Sequence, residues 1–497
     1  MIQRSLSLAA LLLGCGTAAS AQIISIRTVP VSQSHQFEIF PSSTMSMGGV
    51  SMALTDSLLD PFTNPAAGAR LRATRFFGSP SVYSVSSDAG GGRTLPLGAL
   101  TKADSWHGGV WVAVQQVEPS ERVGFGNPCA VCLSIVDPNP VVRNRSSNVN
   151  TYAFATAGRE LGAGGLSVGG SVLWSRLNAI DGVDMLYGGA AGIEQFGHAF
   201  DVRLGVLKEW PGDRSLEALV LHNRFATKHD VHYLDTFWDP GQQQFATRTR
   251  LERNHDRTNT WGLHLAYQGP ITADGWRLGW LATANRMDHP KIPNYEIMNI
   301  PRDPGNSSAF NVGVGAARTF ASATFGIDVL FEPIWSHTWA DAESPVEVVN
   351  GDTIAAGGMT IENRFRFANA AVRMGLDQRF EVSSTVGGGL QLGLDVRRFH
   401  YWLRQRDHVQ LSSRRLEESW VEWKPTWGLS LAFPELELRY RGSVMHGTGR
   451  PGVANPGFLR GDVALSGSNI LVAPSGPLTL DEVRVTTHEI SLSLPLR

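Results

Sequence analysis

The chain predicts an all-β fold, a transmembrane antiparallel β-barrel of about 14–16 strands with an N-terminal plug segment. Three observations predict it. Short segments alternate apolar with polar or small residues over most of the 497 residues. An export signal precedes them. Short turns and long polar loops take turns between them. Side chains in a strand point alternately to opposite faces, so each segment carries one greasy and one wet face.

Residues 1–21 read as the signal peptide. Arg4 supplies the positive charge, residues 6–13 the apolar core, and Ala19-Ser20-Ala21 the A-x-A cleavage site. Leu12-Leu13-Gly14-Cys15 is a rival reading, a lipobox that would leave Cys15 lipidated. Cleavage at the A-x-A site leaves Cys129 and Cys132 of the 3 cysteines. No later segment approaches the roughly 18 apolar residues of a spanning helix. A membrane protein of this kind must therefore be a closed barrel, because hydrocarbon leaves no other way to satisfy strand backbones.

Composition narrows the function. The formal net charge is -2, which argues against a nucleic-acid partner. Glycine at 53 residues suits many turns, and 14 tryptophans suit interfacial anchors.

The barrel is expected from residue 71 to the C-terminus. A hairpin over Thr94–Val117, turning at Lys102-Ala103-Asp104, opens it. Val202, Leu204 and Val206 then alternate with Asp201, Arg203 and Gly205. Phe325, Ile327, Val329 and Phe331 alternate with Gly326, Asp328 and Glu332, and Leu390, Leu392, Leu394 and Val396 with Gln391, Gly393, Asp395 and Arg397. Charge falls on the non-apolar face, as a lipid-facing wall requires. Short turns are expected at Pro211-Gly212-Asp213, Pro270 to Gly275, Ala321-Ser322 and Pro434. Long loops are expected near 118–146, 179–196, 230–250, 288–306, 340–358, 404–416 and 447–480. The count is sixteen strands, or fourteen without the Thr94–Val117 hairpin. A soluble β-sandwich also alternates but would vary its loops at both ends. The last strand ends in Arg497 rather than an aromatic residue.

Residues 22–70 form the expected plug. Met47-Gly48-Gly49 allows backbone conformations closed to other residues. Val50 to Leu59 predicts a short helix stopped by Pro61, and Asn64-Pro65 starts a turn. This stretch, with Asp56 and Asn64-Pro65-Ala66-Ala67-Gly68, resembles the N-terminus of the FadL-like outer-membrane family, which includes long-chain fatty acid transporters and PorV-like proteins. Gly68 is displaced by one relative to the family pattern. The resemblance implies a lumenal plug with Gly48, Gly49, Asp56, Asn64 and Pro65 as plug and hinge. It implies that hydrophobic or amphipathic small molecules pass through passively or leave by a gap in the wall.

Asp395, Arg397, Arg398, Glu435, Glu437, Arg439 and Arg441 are expected to line the lumen, as a selectivity surface or as a charge ladder that stiffens the interior. Cys129-Ala130-Val131-Cys132 reads as a local disulfide in an oxidising compartment, with no metal or other cofactor expected. His229-Asp230-x-His232 reads as a solvated loop. Gly165-Leu166-Ser167-Val168-Gly169 matches a hydrolase motif but lies inside a strand rather than on the required elbow. No nucleophile constellation points to an enzyme. The expected partners are outer-membrane lipid, a hydrophobic ligand, the outer-membrane insertion machinery and no nucleic acid. The alternative is a non-transporting barrel that scaffolds or shuttles proteins in secretion. The expected location is the outer membrane of a diderm bacterium.

Overall fold

A computed structural model describes residues 23–24, 26–27, 36–86, 90–118, 148–180, 190–239, 241–271, 274–288, 305–342, 344–451 and 480–496. The signal peptide, Cys15, and the Cys129–Cys132 pair lie outside these residues.

Sixteen strands pair antiparallel with their sequence neighbours. They are β1, in two pieces (Thr74–Gly78 and Ser81–Val85), β2 (Gly91–Ala103), β3 (Trp106–Glu118), β4 (Asn148–Leu161), β5 (Leu166–Leu177), β6 (Ala190–Trp210), β7 (Arg214–Asp239) and β8 (Gln244–Pro270). They continue with β9 (Trp276–Asp288), β10 (Gly305–Thr319), β11 (Ala323–Asp341), β12 (Met359–Ser383), β13 (Val386–Asp407), β14 (Ser412–Ala432), β15 (Glu437–Pro451) and β16 (Leu480–Leu496). The two pieces of β1 share one register against β2 and one against β16. Thr74 lies opposite Leu496 and Val85 opposite Val485, so the last strand closes on the first and no edge is left open. The expected hairpin is present, turning at Asp104 with φ 52°.

The alternation becomes two faces of a wall. On β10, Asn311 is fully buried while its neighbours Val312 and Val314 are 41% and 49% exposed. Exposed apolar side chains recur around the ring, among them Leu95, Leu204, Val329, Leu392 and Ile490. A soluble sandwich would bury such a face under a second sheet, whereas here only acyl chains suit it. Exposed aromatic residues edge the belt. Trp106, Phe380 and Phe433 stand toward the short-turn end, and Trp261, Trp335 and Trp402 toward the long-loop end.

Three sequence expectations are corrected. The 230–250 and 404–416 stretches are not loops, since β7 and β8 stay paired out to Asp239 opposite Gln244, and β13 and β14 to Asp407 opposite Ser412. Both stretches carry polar residues in both parities of the sequence, so their hydropathy loses its period while the backbone ladder continues. His229, Asp230 and His232 accordingly sit within β7. Nor is there a helix over Val50–Leu59. Among the described residues the α-helix is Asp60–Thr63, followed by a 3-10 turn over Pro65–Arg70. Pro61 starts the helix instead of stopping it, because proline at the first turn forfeits no helical hydrogen bond.

Reversing the wall's polarity tests this arrangement. Val329→Arg should cost about 2–4 kcal/mol of unfolding free energy in bilayers. Val349→Arg, on an exposed loop residue, should change it by less than about 0.5 kcal/mol. Denaturant titration of lipid-reconstituted protein measures both.

Candidate functional site

The N-terminal segment lies inside the ring. Its 3-10 turn Met45–Met47 packs on β12 to β15, and its turn Pro65–Arg70 packs on β2 to β6. Between them, Met52 lies against Gly279, Gly313 and Gly315 of β9 and β10. One short stretch can reach opposite sides of a closed ring only from within.

Glycines in the wall make this close approach feasible. Gly158, Gly169 and Gly205 lie side by side on β4, β5 and β6. Gly326, Gly375 and Gly393 do the same on β11, β12 and β13. A Cβ on Gly169 would stand 2.6 Å from the Pro65 carbonyl carbon, and one on Gly205 would collide with Asn64 Oδ1. Gly375 and Gly393 leave room for Met47 and Gly48 in the same way. On the segment side, Gly48 and Gly49 take φ 71° and 75°, and a Cβ on Gly48 would meet Leu394 O at 2.6 Å.

Polar contacts fix the two ends. Gly48 N donates to Thr426 Oγ1 at 3.0 Å, and that hydroxyl donates to Ser46 O at 2.8 Å. Asn64 Oδ1 accepts from Ala66 N at 3.1 Å, capping the 3-10 turn, while Nδ2 donates to Glu217 at 2.9 Å. The Pro65 carbonyl lies 3.2 Å from His107 Nε2. Arg70 pairs with Glu217 (2.8 Å), Glu209 (3.0 Å) and Asp60 (3.2 Å). Burial pushes the Asp60 carboxyl well above the usual range; Arg70 opposes this, while Glu217 and Asp56 add to it.

Asp56 is a knot. Its carboxylate accepts seven hydrogen bonds, from Ser42 Oγ, Ser43 N and Oγ, Thr44 N and Oγ1, Leu58 N and Leu59 N. It ties the chain before Met45 to the start of the helix at Asp60. A carboxylate so fully engaged clamps this loop of the segment.

The expected lumenal charges divide. Asp395 and Arg397 point inward on β13. Asp395 belongs to a cross-strand row of alternating sign, Asp328, Arg373, Asp395 and Lys424. Arg373 is almost fully buried and lies 3.5 Å from Asp395. Glu437 and Arg439 pair at 2.5 Å, and Arg439 also donates to Ser43 O. Arg441 pairs with Glu489 at 3.0 Å and reaches Glu38 at 3.6 Å, while Lys424 holds Glu38 at 2.9 Å. These groups therefore bind the segment to the wall. Two residues are corrected. Glu435 is exposed in the turn between β14 and β15. Arg398 is exposed on the outer face, because it adjoins inward Arg397 and neighbours in a strand cannot share a face.

Two apolar clusters inside the barrel were missed. One is aromatic. Phe62 of the segment lies 4.6 Å from Phe40, 5.0 Å from Phe154 and 5.7 Å from Phe77, and Trp111 lies 4.9 Å from Phe40. The other joins Ile24 to Phe365, Phe367, Tyr401 and Leu403 toward the long loops. A sequence signal existed for the second. The apolar positions on β13 change parity after Arg397, from Leu390, Leu392, Leu394 and Val396 to Phe399, Tyr401 and Leu403.

The wall beside the aromatic cluster is short of two hydrogen bonds. Ser79 N donates to Pro96 O at 3.4 Å, and Ile490 N donates to Pro80 O at 3.0 Å. Proline has no N–H, so neither bond is returned. Outside this point lies a groove of about 540 Å³, lined by Val82, Leu95, Val114 and Ile490 among others.

No family model matches the chain, and no curated protein matches it. The barrel is similar to several solved structures. A FadL homologue from Pseudomonas aeruginosa is 11% identical, with 92% of this chain and 99% of that chain covered and a TM-score of 0.44. The toluene transporter TodX from Pseudomonas putida is 10% identical over 96% and 100%, at 0.38. The toluene transporter TbuX from Ralstonia pickettii is 9% identical over 93% and 100%, at 0.39.

Two substitutions test the docking. Gly205→Ala should displace Asn64 and cost about 1–3 kcal/mol, whereas Gly192→Ala, with open space around it, should be silent. Limited proteolysis of the segment, read by mass spectrometry, distinguishes them. Asp56→Ala strands several buried donors and should lower the segment's opening free energy by at least about 3 kcal/mol, measured by hydrogen exchange at Thr44, Leu58 and Leu59.

Proposed function

We propose that this chain is an outer-membrane barrel of a diderm bacterium that passes hydrophobic or amphipathic small molecules passively. The observation that carries the reading is the alignment of three features at one height. The aromatic cluster around Phe62 lies inside, the proline-interrupted strand β1 forms the wall, and the apolar groove lies outside. A greasy ligand entering from the long-loop end meets apolar clusters rather than a continuous polar channel. Phe62 belongs to the segment, so a shift of the segment opens the cluster beside the weakened wall. The ligand then leaves sideways into lipid, where its transfer free energy favours it. Movement follows the ligand's own gradient and needs no covalent chemistry.

The test is a strand lock. Val82 and Arg93 are direct cross-strand neighbours on β1 and β2. In a background with the native cysteines replaced by serine, a V82C/R93C disulfide should pin the wall. Uptake of a labelled long-chain fatty acid and of toluene is followed in cells lacking their own transporters. Oxidation should lower uptake at least about tenfold, and reductant should restore it. Uptake equal with and without the unlocked protein sinks transport and leaves the secretion-scaffold reading. Uptake indifferent to the lock sinks only the sideways exit.

A further inference from the structure

Arg398 belongs to a second feature, on the outside of the barrel. Above the apolar belt of β12, β13 and β14, the outward positions turn basic. Arg364 lies directly opposite Arg404, and Arg404 directly opposite Arg415. Like charges placed this way across neighbouring strands repel. Arg366 stands one outward position below Arg364 and faces Trp402 on one side and Trp335 on the other. Arg398 lies lower still on β13, next above Val396, where the apolar run ends. All five guanidiniums are exposed.

The acids in the patch are already engaged. Glu362 is held by His337 at 2.9 Å and by Arg364 at 2.6 Å, and Glu417 by His400 at 2.9 Å. Arg366, Arg398, Arg404 and Arg415 have no side-chain ion pair or hydrogen bond among the described residues. Four unpaired arginines beside two exposed tryptophans, facing away from the lumen, do not serve a substrate path. Their height marks the boundary between acyl chains and headgroups.

We propose that this face binds the phosphates of an outer-leaflet glycolipid carrying more than one phosphate on its sugar headgroup. Arginine's planar fork suits phosphate oxygens, and bound phosphate removes the repulsion along the row. The vertical reach selects the class. Arg398 and Arg404 are six residues apart, about 20 Å along a strand and about 15 Å along the membrane normal at barrel tilt. That is deeper than a single phosphodiester headgroup layer of roughly 6–8 Å. The tryptophans flanking Arg366 supply a surface for the sugar and the upper acyl carbons.

The test uses the whole barrel in nanodiscs. Synthetic diphosphoryl lipid A, phosphatidylcholine and inorganic phosphate are the probes. Native mass spectrometry reads bound lipid, and heat-modifiable gel mobility confirms a folded barrel. The wild type should retain lipid A in preference to phosphatidylcholine, and excess inorganic phosphate should not displace it. R366Q/R404Q/R415Q should lose at least about tenfold in lipid A retention. The corresponding lysine triple should keep part of it, and R224Q, an exposed arginine on the far side, should keep all of it. Equal retention by wild type and the glutamine triple, or no preference over phosphatidylcholine, overturns the proposal. Full displacement by inorganic phosphate overturns it in favour of a small-anion site.

Discussion

Every backbone N–H and C=O of the wall must find its partner without water, and that constraint organises the rest of the molecule. Closure of β16 on β1 meets it. Closure also creates an interior, and sixteen strands enclose more space than wall side chains can fill. The segment before β1 fills it. Filling by a chain rather than by side chains demands flat stretches of wall, which the rows around Gly169 and Gly375 provide. The glycines of these rows are thus a consequence of closure, through the packing of backbone on backbone.

The polar contacts then acquire a common purpose. Arg70, Lys424 and Arg441 each join the segment to the wall through carboxylates, and Asp328 receives Ser51 N and Met52 N. In a water-poor interior an ion pair is costly to break on one side only, because the remaining charge is stranded. The segment is therefore held by contacts whose loss would be cooperative. That suits an element that stays in place as a unit or shifts as a unit.

Sequence reading recovered the wall because hydrophobicity there has a period of two imposed by lipid. Where that imposition stops, legibility stops as well. Beyond the bilayer the β7–β8 ribbon carries polar residues in both parities of its sequence and looked like loop. Asp56 was legible as a motif residue, but its role was not, since its seven donors are brought together by the path of the chain between Ser42 and Leu59. Arg398 was assigned to the lumen by its chemistry alone, although counting from outward Val396 places it outside. The aromatic cluster draws Phe40 and Phe62 from the segment and Phe77, Trp111 and Phe154 from three strands. No local pattern joins them.

The interruption in β1 shows how the same constraint allows a functional exception. An unreturned wall hydrogen bond is expensive in hydrocarbon. Pro80 and Pro96 avoid that expense in a particular way, since proline removes a donor rather than stranding one. On the donor side nothing is left unsatisfied, yet each seam beside β1 is weaker by one bond at the same height. The register runs through the break unchanged, with Gly78 opposite Leu97 and Ser81 opposite Thr94. The wall can therefore separate locally and re-form without slipping. A bulge would shift register, and a shortened strand would expose an edge. Paired prolines weaken a closed barrel without doing either, and their position beside the segment's Phe62 puts that weakness next to an interior segment that no backbone ladder ties to the ring.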